Sequence, residues 1–253
     1  MKLMLVVALV LKLSSLVSCL KVVVSGYNSK LAVYDVLENT LIPFTEWDVG
    51  NAGKLMTWLQ IEDDKIYASH EVDQYEGEPG SVVSRWQISP DGAEIEMLEF
   101  SKTGSSGTAH LLVDKEYDKV YASNYGGASI SVINLNNDGS LGELEINHEY
   151  NDICQKSNPH QVLTKGNWVF VVDLGCDKIW HYIHEANGQD WLRKETDVKT
   201  GAGPRHGVFH QTKDLMFLLC EQQSLVQVYR SIYLRHVSYF KTYFSGFQMK
   251  GWS

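Results

Sequence analysis

The sequence predicts an all-β protein, on three observations. Glycine is frequent (20) and proline scarce (5) in 253 residues, which suits many tight turns and no proline-rich linker. Long helix-period patterns are scarce, whereas short alternating or apolar runs of strand length recur along the chain. These runs repeat at a spacing near 50 residues. At 44% hydrophobic and 21% charged, the chain is too apolar and too weakly charged to be disordered. Its net charge of −9 argues against binding nucleic acid or an anionic membrane, since both need clustered positive charge.

Residues 1–19 (MKLMLVVALVLKLSSLVSC) run from a lysine through an apolar stretch to small residues. That order reads as a secretory signal peptide, with a secreted product; the other reading is a buried first strand of a cytoplasmic protein. Lys12 interrupts the apolar stretch, so no membrane span is expected. Cys154, Cys176 and Cys220 show no CxxC pair and no zinc-ligand spacing, so small buried hydrophobes are expected rather than disulfides. Neither a metal site nor a cofactor is indicated.

Four segments share an apolar residue, two small or apolar residues and a polar end: Tyr67 to His70, Tyr121 to Asn124, Phe170 to Asp173 and Leu218 to Glu221. Their first residues are separated by 54, 49 and 48 residues. Three are followed by a second run, at 129–135 (SISVINL), 178–183 (KIWHYI) and 224–229 (SLVQVY). Turn sequences recur at 89–92 (SPDG) and 136–139 (NNDG), where glycine supplies a positive φ. His110, His160 and His206 share the period, and each opens a short apolar strand. A more polar fourth strand is expected at 143–148. Four strands in about 48 residues mark one blade of a β-propeller, whose first strands open at a common mouth. Residues 125–127 (YGG) read as a turn rather than a phosphate loop, because no helix follows. The acidic run 73–78 lacks a regular ligand spacing and reads as a solvated loop.

The stretches 119–135 with 138–142, 168–178 and above all 201–229 (GAGPRHGVFHQTKDLMFLLCEQQSLVQVY) resemble the seven-bladed propeller lactonases. That family includes propeller-type 6-phosphogluconolactonases and carboxy-cis,cis-muconate cyclases. The resemblance implies catalytic positions at His160, Arg205 and Glu221, with His110 and His206 nearby as substrate-binding residues. It implies a small anionic lactone or carboxylate as substrate. An imidazole or carboxylate suits the proton transfer, and a guanidinium suits an anionic substrate and a developing oxyanion. His160 is expected as general acid/base, Arg205 as clamp and Glu221 as orienting or proton-transferring partner. The other reading makes His110 and His160 blade caps and Arg205–Glu221 a structural ion pair.

Seven blades would need roughly 340 residues. The expected organisation is therefore a leader at 1–19, an incomplete propeller of about five of seven blades at 20–230, and a divergent tail at 231–253. The tail holds seven aromatics in 23 residues and fits no repeat element, as expected of an incomplete or misread gene product or of a short cap. The expected function is hydrolysis of an anionic sugar lactone such as 6-phosphogluconolactone. Muconate cyclisation and partner binding by a non-catalytic propeller are the alternatives. The sequence leaves the oligomeric state open.

Overall fold

A computed structural model describes residues 6–12, 20–184, 194–232 and 236–239. The signal-peptide cleavage region at 14–19 and most of the 231–253 tail lie outside these residues. Two compact units divide the chain, 1–148 and 149–253.

In the first unit, sheet 1 comprises β1 (Val6–Lys12), β2 (Leu20–Ser25), β3 (Lys30–Leu37) and β4 (Thr40–Asp48). Sheet 2 comprises β5 (Met56–Glu62), β6 (Lys65–His70), β9 (Val82–Ile88) and β10 (Ile95–Lys102). A small hairpin, β7 (Gln74–Tyr75) and β8 (Glu78–Pro79), interrupts sheet 2 between β6 and β9. Sheet 3 comprises β11 (Thr108–Asp114), β12 (Lys119–Asn124), β13 (Ser129–Leu135) and β14 (Leu141–Glu149). The second unit holds sheet 4, with β15 (Pro159–Lys165), β16 (Trp168–Asp173), β17 (Lys178–Ile183) and β18 (Lys194–Asp197). Sheet 5 follows, with β19 (Pro204–Phe209), β20 (Leu215–Cys220), β21 (Leu225–Ile232) and β22 (His236–Tyr239). Each sheet is an antiparallel meander. Among the described residues the only helix is one 3-10 turn at Gly50–Gly53, and no helix is long and apolar enough to cross a membrane.

The middle strands are buried on both faces, which is why they read as near-continuous apolar runs: all six residues of β16 (WVFVVD) are buried. The fourth strands are half exposed, as the polar run in β14 requires. In the second unit, Phe170, Val172 and Ile179 of sheet 4 pack with Met216, Leu218 and Tyr229 of sheet 5. The expected turns form: the Gly139 N–H donates to the Asn136 carbonyl at 2.8 Å, with Gly139 at φ 76°. The acidic run becomes the β7–β8 hairpin, anchored by buried Tyr75, whose hydroxyl donates to the Ala52 carbonyl at 2.7 Å.

A buried residue ends the second strand of sheets 2 to 5: His70, Asn124, Asp173 and Cys220. The polar three are bonding hubs. His70 faces the Lys54 carbonyl at 2.9 Å and Ser84 Oγ at 2.7 Å. Asn124 accepts from Thr108 and donates to Ser129 and Ser131. Asp173 accepts from Ser157 Oγ, Trp180 Nε1 and the N–H groups of Asn158 and Cys176. Each ties the entry of the first strand to the third strand or its turn.

The cysteine expectation fails at one pair. Cys154 and Cys176 form a disulfide, with Cα atoms 6.2 Å apart across a separation of 22 residues. The loop at 150–158 folds back over the turn at 174–177, a proximity that residue spacing does not encode. Cys220 stays a buried thiol, and burial pushes its pKa up to about 12.

Burial lowers the pKa of His70 and of His181 to about 4. His181 sits in the sheet 4 core edge-on to Phe170, with ring centroids 5.0 Å apart. The folded state therefore holds both imidazoles neutral where the unfolded chain, near 6.5, has begun to take up protons. Stability should fall as pH drops from about 6.5 to about 4, by about 3 kcal/mol per imidazole. Denaturant unfolding at pH 7 and pH 4.5 should show a smaller loss for His181→Phe than for the unmodified chain. Equal losses would remove His181 from the account.

Candidate active site

The first strands of sheets 2 to 5 share an irregularity. Register shifts between Met56 and Trp58, Thr108 and His110, Pro159 and Gln161, and Pro204 and His206. One extra residue is thereby left out of the ladder: Thr57, Ala109, His160 and Arg205. A bulge leaves its extra residue unpaired and re-aims its side chain. Pro159 and Pro204 are tolerated because each opens its strand, where a missing N–H costs no ladder bond.

This register revises the repeat read from the sequence. His110, His160 and His206 are not equivalent. His160 corresponds to Ala109 and Arg205, whereas His110 corresponds to Gln161 and His206. Histidine occupies one or the other of two adjacent positions, and the unequal length of the repeats hides the one-residue difference. Glu221 is displaced likewise: Cys220 is the counterpart of His70, Asn124 and Asp173. The Glu221 N–H donates to the Gly203 carbonyl, as Glu71 does to Leu55, Tyr125 to Gly107 and Leu174 to Asn158.

Four of the five expected site residues meet in the second unit. Arg205 Nη1 donates to Glu221 Oε2. The His160 and His206 rings lie edge to face, centroids 5.0 Å apart. His160 is buried and His206 half-buried, while the Glu221 side chain is 42% exposed and so open to an arriving ligand. Burial first, then the Arg205 and His206 charges, hold the His160 pKa well below the usual imidazole value. Burial and Arg205 lower that of His206 to about 4. Both rings are therefore neutral at pH 7. Such a cluster can bind an anion through the guanidinium, and a neutral imidazole can accept a proton beside it. The fifth residue, His110, lies in the first unit, buried against Trp58 at 4.2 Å between ring centroids.

Sequence reasoning missed the part played by Asp173 and by Gln161. Asp173 was visible as a polar strand end, but its four donors come from three separate segments. Among the described residues, no group of three or more His, Cys, Asp or Glu side chains is placed to hold a metal ion.

Repeated four-stranded meanders, each opening on a bulged first strand, define a β-propeller, here of about five blades. The bulges of two successive blades carry the polar cluster. The chain belongs to the seven-bladed β-propeller lactonase family, whose sequence model matches residues 22–252. It is 28% identical over 193 residues to a 6-phosphogluconolactonase of Pectobacterium carotovorum, covering 73% of this chain and 56% of that protein. It is 26% identical over 162 residues to a 6-phosphogluconolactonase of Bacillus subtilis, covering 60% of this chain and 45% of that protein. The chain thus spans about half the length of these curated relatives. The structure of a periplasmic gluconolactonase from Pseudomonas aeruginosa shares the fold, with TM-score 0.74, 17% identity, 88% of this chain and 67% of that one covered.

Proposed function

We propose that this protein hydrolyses an anionic sugar lactone, 6-phosphogluconolactone being the leading substrate. The observation that carries the reading is the juxtaposition of Arg205, paired with Glu221, and two neutral imidazoles on the bulges of adjacent blades. Water attacks the lactone carbonyl while His160 accepts its proton. Arg205 stabilises the oxyanion that forms. The ring C–O bond then breaks, the leaving oxygen takes the proton back from His160, and the product is a hydroxy acid. Glu221 orients the guanidinium and yields part of its contact when the substrate anion arrives.

A secreted location forms part of the proposal. The leader-like segment at 1–19 supports it, as does the Cys154–Cys176 disulfide, since disulfides persist in oxidising compartments. The similar gluconolactonase is periplasmic. Cleavage near 18 or 19 would take β1 out of sheet 1 and leave the β2 edge for another strand.

The test is hydrolysis by the purified chain, measured above the spontaneous rate, with 6-phosphogluconolactone and δ-gluconolactone. The expected result is acceleration, greater for the phosphorylated lactone. No acceleration of either lactone would overturn the reading.

A further inference from the structure

The residue beside His160 in its bulge is Gln161, and it is bonded to the neighbouring blade. Its Oε1 accepts the Gly207 N–H at 2.6 Å, and its side chain is buried. Gly207 follows Arg205 and His206 on β19. β15 and β19 belong to different sheets and share no ladder, so this bond joins two first strands that backbone pairing leaves independent.

Gly207 shows how closely the strands approach. A Cβ there would lie 2.5 Å from Met216 Cε and 3.0 Å from Leu163 Cδ1. Both neighbours are the ends of flexible side chains that a larger residue would push aside, whereas the Gln161 carboxamide holds the β19 backbone itself.

The same device occurs in the first unit at a different place. Gln60 on β5 holds β11 through both halves of its amide: Oε1 accepts the Val113 N–H at 2.9 Å and Nε2 donates to the Val113 carbonyl at 3.1 Å. That bond sits three residues beyond the bulge residue Thr57, in the body of the strand. At Gln161 the bond sits at the bulge itself. The bulges joined this way are the two that carry His160 and Arg205.

We propose that Gln161 is a positioning residue for lactone hydrolysis, fixing the spacing of His160 from Arg205 and His206 through the Gly207 N–H. This rests on the lactonase reading, which it deepens. The bond acts on backbone, so it moves Arg205 and His206 together with their strand. Displacement of a reacting group by about 1 Å can cost about 100-fold in rate.

The experiment compares Gln161→Met, which keeps the length and loses the acceptor, with Gln161→Glu, which keeps an acceptor oxygen. Two readouts are taken: kcat and KM for 6-phosphogluconolactone, and the NOE between the His160 and His206 ring protons in ligand-free protein. Gln161→Met should lower kcat by roughly 10- to 100-fold while KM shifts far less, and should weaken the NOE. Gln161→Glu should restore the NOE and most of the lost kcat. An unchanged NOE in Gln161→Met, or equal losses in both variants, would overturn the positioning role. Should the unmodified chain turn over no lactone, the functional reading falls by itself, and the NOE comparison still decides whether Gln161 sets the spacing.

Discussion

Arg205→Ala is expected to lower kcat/KM for an anionic lactone by about 100- to 1,000-fold, the usual cost of removing one oxyanion donor. The guanidinium is the one cation among the four clustered residues, because both imidazoles stay neutral at pH 7. Its removal leaves the developing negative charge beside Glu221, which then repels it. The loss should therefore exceed that in Glu221→Gln, where the guanidinium remains. Arg205→Lys should recover only part of the activity, since an ammonium offers a point charge without the planar fork. Assays of the three variants against the spontaneous rate check this order. Retention of activity within about threefold in Arg205→Ala would remove that residue from the mechanism.

The largest expected effect on stability belongs to Asp173→Ala, at roughly 3–5 kcal/mol, since several buried neutral donors lose their shared acceptor at about 1–3 kcal/mol each. The carboxylate is buried, and four donors point at it from Ser157, Asn158, Cys176 and Trp180. Alanine removes the acceptor that the four donors share, and a buried donor that loses its acceptor is costly. Asp173→Asn, which keeps one acceptor oxygen, should lose less. Asn158 leads directly into Pro159 and His160, so the same change should also blur the His160 position. Denaturant titration at pH 7 measures the stability difference. A loss below about 1 kcal/mol in Asp173→Ala would contradict the hub role.

Much of the fold was legible because the middle strands are buried on both faces. Stretches such as 129–135 and 178–183 coincide with β13 and β17. The glycine turns were legible for the same local reason: a positive φ selects the residue. The polar fourth strand expected at 143–148 lies within β14. Register was harder to read. The repeats differ in length by a few residues, so residues at nearly equal sequence spacing can stand one position apart in the sheet. That offset grouped His160 with His110 and placed Glu221 beside Asp173. The resemblance over 201–229 nevertheless pointed to Arg205 and Glu221, which the structure pairs. The Cys154–Cys176 disulfide and the Gln161–Gly207 bond join segments distant in sequence, and no local pattern announces either.

The most direct test is a crystal structure of the chain soaked with 6-phosphogluconate, the hydroxy acid expected as product. An anionic group of the ligand should lie in hydrogen-bonding contact with the Arg205 guanidinium, with the carboxyl carbon facing the His160 ring. Electron density for the ligand elsewhere, with the Arg205–Glu221 pair and both imidazoles untouched, would contradict the account.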